Sequence, residues 1–207
     1  MKRDRARLAG LLVVTLAAAG AVSCAKPTVE ACYTPESKCS EAIVAEIGLA
    51  RSEVLVQAYA LTSKPVMDAL VHAREAGANV SVILDRSYPY AQNSALYLSS
   101  LKSVPTFIDA LHTVADNNIV IIDRETVITG SMSFTAEAEE RNAENVVIVR
   151  SVTVADSYAG NWNAHREHAE AFVKPIEQQA QEAPKPASGK TEKKKAAKAR
   201  KKKKRAS

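Results

Sequence analysis

Two short apolar runs in the middle of the chain constrain its fold more than any other stretch. Ile119–Ile122 and residues 126–129 consist entirely of β-branched residues, and the polar tripeptide 123–125 separates them. This pattern predicts a β-hairpin in a sheet that is buried on both faces. Gly130 and Ser131 follow at once, and a glycine there permits a tight turn that brings backbone and hydroxyl close to a ligand.

The stretch before the hairpin predicts a βαβ unit. Residues 54–59 and 79–85 are apolar runs typical of strands. Between them, Pro65 suits the first turn of a helix, and Gly77 suits its end. A strand, a helix and a strand within about 30 residues indicate parallel strands joined by a right-handed crossover.

The remaining periodic segments predict further helices and strands on either side of this core. Ser40 is a plausible N-cap for an early helix, and Trp162 is the expected anchor of the last one. The predicted elements are a short strand at 32–34, a helix at 41–51, a helix at 91–101, a strand at 106–109, a polar loop or helical turn at 136–143, a strand at 145–150 and a closing helix at 154–172.

Residues 114–135 resemble the signature of the phospholipase D superfamily, His-x-Lys-(x)4-Asp followed after six residues by Gly-Ser. The resemblance is strongest to the small bacterial endonuclease branch, which carries one such motif per chain. Motif positions that this chain retains are Asp123, Gly130, Ser131, Phe134 and Thr135. Segments 56–63, 82–85 and 142–148, together with Asn161, Trp162 and His165, are also similar to that branch. The implied fold is an α/β domain, an α-β-α sandwich with a mixed sheet flanked by helices, over residues 32–173.

The chain departs from the motif at its two chemically indispensable positions. Asp116 stands where the family has its nucleophilic histidine, and Asn118 stands where it has its phosphate-binding lysine. Ser133 replaces the usual asparagine. The resemblance therefore supports the fold more strongly than the activity.

The resemblance implies a particular chemistry for an intact member. The histidine attacks phosphorus to give a phosphohistidine, a second histidine protonates the leaving oxygen, and lysines stabilise the charge, without metal or cofactor. A single-motif member needs a homodimer across the motif to bring two histidines together. Ser131 and Glu144 hold the positions of residues that support the histidines.

We therefore expect a phosphodiesterase for phospholipid or nucleic-acid phosphodiesters that is impaired at Asp116 and Asn118. Asp116 could still attack phosphorus as a carboxylate, and pairing with an intact paralogue is a further alternative. The carboxylates Asp116, Asp123 and Glu144 could together bind a divalent cation. No metal site is expected otherwise, because His72, His165 and His168 show no metal-ligand spacing. His112 lies four residues before Asp116 and is expected to be a surface or hydrogen-bonded histidine rather than a replacement nucleophile.

Residues 1–24 predict an export signal that is separate from the fold. Four basic residues lie within the first seven positions, residues 8–22 are apolar, and residues 21–23 form a small-residue cleavage site. Cys24 follows directly, which resembles a bacterial lipoprotein signal in which Cys24 becomes the acylated first residue of an envelope or periplasmic protein. An ordinary secretory peptide is the alternative. Residues 25–31 are expected to be a tether.

Export would place Cys32 and Cys39 in an oxidising compartment, where a disulfide between them is the expected state. The closed loop is small and would contribute about 2.5 kcal/mol in the chain-entropy model. Two cysteines alone provide too few ligands for a metal, so we predict a structural disulfide.

The net charge of +5 hides two regions of opposite sign. Residues 25–183 carry 12 basic and 21 acidic side chains, whereas residues 184–207 carry 12 basic and one acidic. Residues 174–207 are predicted to be disordered and polybasic from 184. The segment 190–205 would bind polyanions, either nucleic acid or anionic envelope lipid, which makes a non-catalytic envelope-binding lipoprotein the alternative function.

Overall fold

The computed structural model describes residues 26–173, which form eight strands and five α-helices. The strands are β1 (Thr28–Thr34), β2 (Glu53–Ala58), β3 (Asn79–Asp85), β4 (Thr106–Asp109), β5 (Ile119–Ile122), β6 (Thr126–Gly130), β7 (Glu144–Arg150) and β8 (Glu170–Ala171). The helices are α1 (Cys39–Ile47), α2 (Lys64–Glu75), α3 (Ala91–Ala95), which continues into a π-helical segment at Leu96–Leu101, α4 (Ala136–Glu140) and α5 (Val152–His168).

All eight strands form one mixed sheet in the order β1-β7-β6-β5-β2-β3-β4-β8. The strands β2, β3 and β4 are parallel, and every other pairing is antiparallel. The predicted hairpin is β5–β6, and it enters the sheet by pairing β5 antiparallel to β2. The parallel pairing of β2 with β3 confirms the predicted βαβ unit.

The sheet is buried on both faces, which confirms the predicted α-β-α sandwich. Alternate residues of β2 show the division, because Val54 and Val56 pack with α1 and α2 whereas Leu55 packs with α5. The α5 layer is the smaller one and centres on Trp162, whose indole N–H donates to the Val56 carbonyl at 2.9 Å. Within residues 26–173, no helix has both the length and the apolarity that crossing a bilayer requires.

One edge of the sheet gathers the strand ends that surround the motif, and we call it the motif edge. The strands β2, β3, β4 and β6 end there, and β5 and β7 begin there. Its strand-end residues are Ala58, Asp85, Asp109, Ile119, Gly130 and Glu144. Loops at this edge are therefore close together although they are far apart in sequence.

The predicted tether at 25–31 is wrong for residues 28–31, because β1 begins at Thr28 and pairs with β7. Its side chains are mostly exposed, including Val29, so the segment lacks the apolar alternation that marks a half-buried strand. Cys32 of this strand is bonded to Cys39 at the start of α1, with an S–S distance of 1.97 Å. The disulfide therefore joins the outermost strand to the first helix.

Two predicted helix ends also differ from the structure. Ser40 does not cap α1, which begins at Cys39; its backbone N–H and its hydroxyl instead donate to the Glu139 carboxylate at 2.9 and 2.8 Å. The closing helix ends at His168 rather than near 172, because β8 follows and pairs with the outer side of β4. Pairing with β8 satisfies backbone groups that β4 would otherwise leave unpaired.

The turn of the central hairpin is held by a side chain. Asp123 and Arg124 have φ angles of 51° and 55°, a left-handed pair that suits a two-residue hairpin turn. The Asp123 carboxylate accepts hydrogen bonds from the backbone N–H groups of Arg51, Ser52 and Glu53 at 2.8 to 2.9 Å. Burial raises the pKa of Asp123, but these hydrogen bonds and that of the Ser52 hydroxyl outweigh it and lower the pKa from 3.8.

We predict that Asp123→Ala lowers the free energy of unfolding by about 2 kcal/mol at neutral pH, near the lower end for hydrogen bonds to a charged group because the site is partly exposed. The carboxylate contributes stability above its unfolded pKa of 3.8 and loses it as the pH falls through the lower folded value. Urea unfolding at pH 7 and pH 3 should therefore show a smaller difference from wild type at pH 3.

Asp123→Asn is the matched control, since asparagine tolerates a left-handed backbone but carries no charge. It should lie between alanine and wild type at pH 7. An equal loss for Asp123→Ala at both pH values would contradict the assigned role of the carboxylate.

Candidate active site

The loop that carries the motif crosses the motif edge from β4 to β5. It spans residues 110–118 and passes the ends of β3 and β2, because β5 lies beyond both of them in the sheet. Asp85, buried at the end of β3, accepts a hydrogen bond from the backbone N–H of Ala115 at 2.6 Å. This contact fixes the backbone immediately before Asp116, whose side chain is exposed to solvent.

Asn118 occupies a buried position beside Asp116. Its side chain is only 6% exposed, and its Nδ2 lies 3.5 Å from Asp116 Oδ1, the long limit of a hydrogen bond. Within the described residues, its Oδ1 is buried without a hydrogen-bond partner. The opposite amide orientation would direct Oδ1 towards the carboxylate, which is repulsive. Asn118 therefore directs its donor to Asp116 and leaves an acceptor unpaired.

Gly130 and Ser131 form a tight junction between β6 and β7. Gly130 has a φ of 153°, and a Cβ atom there would lie 2.1 Å from the Asn145 carbonyl oxygen, so only glycine fits. The Ser131 hydroxyl oxygen accepts from the Asn145 backbone N–H at 3.0 Å and from its Nδ2 at 3.2 Å. Ser131 thus secures the end of β6 to the beginning of β7 at the motif edge.

Glu144 begins β7 at the same edge and is partly exposed. Its carboxylate accepts from Asn142 Nδ2 at 3.1 Å, and its backbone N–H donates to the Thr34 hydroxyl at 3.2 Å. The structure thus places four of the predicted site residues, Asp116, Asn118, Ser131 and Glu144, on loops and strand ends of one edge.

The assignment of Asp123 to the site is wrong in the structure. Asp123 lies at the opposite edge of the sheet, beyond the four residues of β5, where it binds the chain that precedes β2. The separation from Asn118 is about 16 Å, five residues of extended chain. A cation site formed by Asp116, Asp123 and Glu144 is excluded for the same reason. The aspartate of the motif is structural here.

A second buried amide lies one strand away from the motif. Gln57 of β2 pairs in register with Ile119 and is 1% exposed. Within the described residues, neither its Oε1 nor its Nε2 has a hydrogen-bond partner. Because Leu55 and Ile119 pack towards α5, the alternation of the strand places Gln57 on that face. A buried amide without partners costs about 1 to 3 kcal/mol per polar group.

The histidines reveal a grouping that their sequence spacing does not indicate. His112, His165 and His168 surround the carboxylate of Asp109, which is completely buried. Their ring nitrogens lie 3.2, 2.9 and 3.2 Å from Asp109 Oδ2. His112 is thus the hydrogen-bonded histidine expected from the sequence, but its neighbours come from the end of α5, 50 or more positions away.

Burial raises the pKa of the Asp109 carboxyl, but hydrogen bonds from His165, His168, the Leu111 backbone N–H and His112 outweigh it and lower the pKa well below 3.8. The carboxylate is therefore charged at neutral pH. The sequence signals for this cluster are weak. His165-x-x-His168 places both rings on one helix face, and Asp109-x-x-His112 forms a local pair. Only the contact of α5 with β4 joins these two pairs.

A cavity of about 670 Å³ lies beside the motif edge, between α1, the start of α2 and α4. Thr62 and Ser63 line it, and their backbone N–H groups donate to the carbonyl of Phe134, a motif position between β6 and α4. Neither Asp116 nor Asn118 is among its lining residues. The cavity therefore adjoins the motif without containing it.

Comparison with known proteins identifies the lineage of this site. Residues 43–166 match the family described as "Cardiolipin synthase, PLD-like domain". Proteins named phospholipase D from Rickettsia bellii and Rickettsia prowazekii are 38% and 36% identical over 134 and 137 residues, which cover 65% and 66% of this chain and 67% of each relative.

Solved structures agree with the observed fold. Nuc from Salmonella typhimurium, described as a phospholipase D family member, superposes with a TM-score of 0.68 at 25% identity and covers 72% of this chain and 100% of its own. NucT from Helicobacter pylori superposes with a TM-score of 0.65 at 17% identity, covers 71% and 100%, and supports the fold alone. With a family match over more than half its length, the chain belongs to the phospholipase D-like family.

Proposed function

We propose that this protein is a phospholipase D-like phosphodiesterase whose family-type turnover is impaired by its own motif. The impairment is inferred from the two residues at the histidine and lysine positions of the motif, Asp116 and Asn118. The first is an exposed carboxylate where the family has an imidazole, and the second is a buried amide where it has an ammonium. The family membership supports the reaction class, and the pair supports the impairment.

The missing imidazole affects two steps. A carboxylate can attack phosphorus, but it cannot also protonate a leaving oxygen at neutral pH unless its pKa is strongly raised. In a symmetric dimer the second Asp116 would have to provide that proton. Two facing carboxylates can share one proton, so that one acts as the acid and the other as the nucleophile, but the pair must then hold that proton at neutral pH.

The missing lysine affects the approach of the substrate. A phosphodiester is an anion, and the motif edge already carries the carboxylates of Asp85, Asp109, Asp116 and Glu144. Asn118 is a neutral group that directs its donor to Asp116 and leaves an acceptor unpaired. The motif itself therefore supplies repulsion where an intact member supplies attraction.

We predict that the double substitution Asp116→His with Asn118→Lys raises phosphodiester turnover by on the order of 10²-fold or more, because it restores a nucleophile and a cation. The assay uses the full chain with bis(4-nitrophenyl) phosphate, DNA and a phosphatidylcholine analogue, each in the presence of EDTA.

Asn118→Lys alone is the control for added charge and should raise binding of an anionic substrate without restoring turnover. Wild-type turnover that equals that of the double variant and is abolished by Asp116→Ala would overturn the proposed impairment.

The proposal includes a homodimer across the motif edge. It is supported by the single motif in the chain and by two exposed apolar side chains on the motif loop. Leu111 is 68% exposed and Val114 is 50% exposed, and both precede Asp116 on this loop by five residues or fewer. An isologous contact through this loop would cover both and would bring the two motifs together.

We predict that the wild-type chain sediments as a dimer and that Leu111→Glu with Val114→Glu sediments as a monomer, because four carboxylates would then face one another across the contact. Leu49→Glu is the matched control, since Leu49 is 65% exposed but follows α1 near the opposite edge. A wild-type monomer at micromolar concentration, or a loop variant that remains dimeric, would contradict this interface.

A second candidate function is a non-catalytic polyanion-binding envelope lipoprotein. It is favoured by the separation of charge, with 12 basic and one acidic side chain in residues 184–207. Those residues and Cys24 lie outside the described range, so the candidate depends on the sequence alone. The body carries 12 basic and 21 acidic side chains over residues 25–183, which leaves the basic segment as the main attractor of polyanions.

We predict that removal of residues 184–207 abolishes binding to anionic vesicles and to duplex DNA, and that full-chain binding weakens steeply with salt. Asp116→Ala should leave this binding unchanged. The truncated chain should keep the thermal midpoint of wild type. Binding that survives truncation would exclude the basic segment as the binding element.

A further inference from the structure

Asp109, His112, His165 and His168 form a cluster of side chains that has no role in the phosphodiester chemistry described above. We infer that these four side chains form a closed, tetrahedral Zn²⁺ site that joins the end of α5 to the end of β4. None of the four ligands is a motif position, although Asp109 lies at the motif edge and His112 lies on the motif loop. Metal binding is measured without phosphodiester turnover, so the two proposals can fail separately.

The ligand atoms lie close together, and their three distances to Asp109 Oδ2 are near the separation that a tetrahedral ion requires. One atom from each of the four side chains lies within 4.8 Å of the other three. Zinc bonds of about 2.0 to 2.1 Å correspond to a tetrahedron with edges of about 3.3 Å. The three imidazole nitrogens are 3.2, 2.9 and 3.2 Å from Asp109 Oδ2, so only small movements would admit an ion.

Three imidazole rings converge on one oxygen of the Asp109 carboxylate, which has two lone pairs. Asp109 Oδ1 already accepts the Leu111 backbone N–H at 3.0 Å, and His165 donates to Oδ2 at 2.9 Å. His112 and His168 bring two further nitrogens to the same oxygen. The chain has four histidines, and three of them meet at this one point. Convergence of this kind is typical of metal ligation.

The donor set selects the metal class. Three imidazoles and one carboxylate are ligands that Zn²⁺ accepts, and hard cations such as Mg²⁺ and Ca²⁺ require mostly oxygen ligands. Four protein ligands leave no open coordination position, which is typical of a structural rather than a catalytic zinc site.

The surrounding structure holds the ligands in place before an ion arrives. Asp109 ends β4, and its backbone carbonyl accepts from Arg86 at 3.0 Å. The Arg166 guanidinium, on the α5 turn between the two histidines, stacks 3.3 Å from the centre of the Phe107 ring in β4. The first contact holds β4 to the chain that follows β3, and the second holds α5 to β4. Zn²⁺ would add a further connection between α5 and β4.

The test is Zn²⁺ titration of the full chain, purified through a tag without histidines and treated with a chelator. Wild type should bind one Zn²⁺ per chain, and its thermal midpoint should rise with Zn²⁺ concentration. His112→Ala and His168→Ala are the first variants, because these rings are the more exposed ones, at 43% and 27%. Each should weaken binding by at least about tenfold, the minimum for loss of a group that only supports a ligand.

His72→Ala is the matched control, since His72 is exposed on α2, its ring lies 3.5 Å from the Glu75 carboxylate, and it is not part of the cluster. It should bind Zn²⁺ as tightly as wild type. Co²⁺ substitution supplies a second readout, a tetrahedral visible spectrum that the double variant His112→Ala with His168→Ala should lack. Zn²⁺ binding to that double variant with wild-type affinity, or no binding to wild type, would overturn the site and leave a hydrogen-bonded histidine cluster.

Discussion

The antiparallel pairing of β5 with β2 is the contact on which the rest of the structure depends. The parallel strands β2, β3 and β4 form one half of the sheet, and β6, β7 and β1 form the other. Among the named strands, β5 is the one that pairs with both halves, through four residues that are all buried. Its direction places the beginning of β5 beside the ends of β2, β3 and β4, so this pairing creates the edge at which the motif, Asp109 and the histidines meet.

Most of the architecture could be predicted because it depends on local apolar patterns. The β-branched runs of β5 and β6 and the apolar run of β3 define strands whose bounds match the prediction closely. The missed elements have weak local patterns. β1 is mostly exposed, and β8 has only two residues, so both exist because a neighbouring strand provides hydrogen-bond partners. Such partners are not visible in the sequence of the element itself.

The site divides in the same way. Motif spacing located Asp116, Asn118, Ser131 and Glu144 at one edge, but it also assigned Asp123, because a linear motif does not record that five residues of strand reach the other side of the sheet. The histidine cluster has the opposite problem. His165 and His168 are 56 and 59 positions from Asp109, and only the docking of α5 on β4 brings them to it.

The two outermost strands determine where the chain leaves the domain. Thr28 of β1 pairs with Arg150 at the end of β7, and Phe172, after β8, donates to Thr106 at the start of β4. Both exits therefore lie on the side of the sheet away from Asp116, at its two lateral ends, about 34 Å apart for seven strand spacings. If the segments before Thr28 and after Phe172 both attach to one membrane, the domain would be held at two points on the side of the sheet opposite to Asp116. The motif edge would then face away from that membrane.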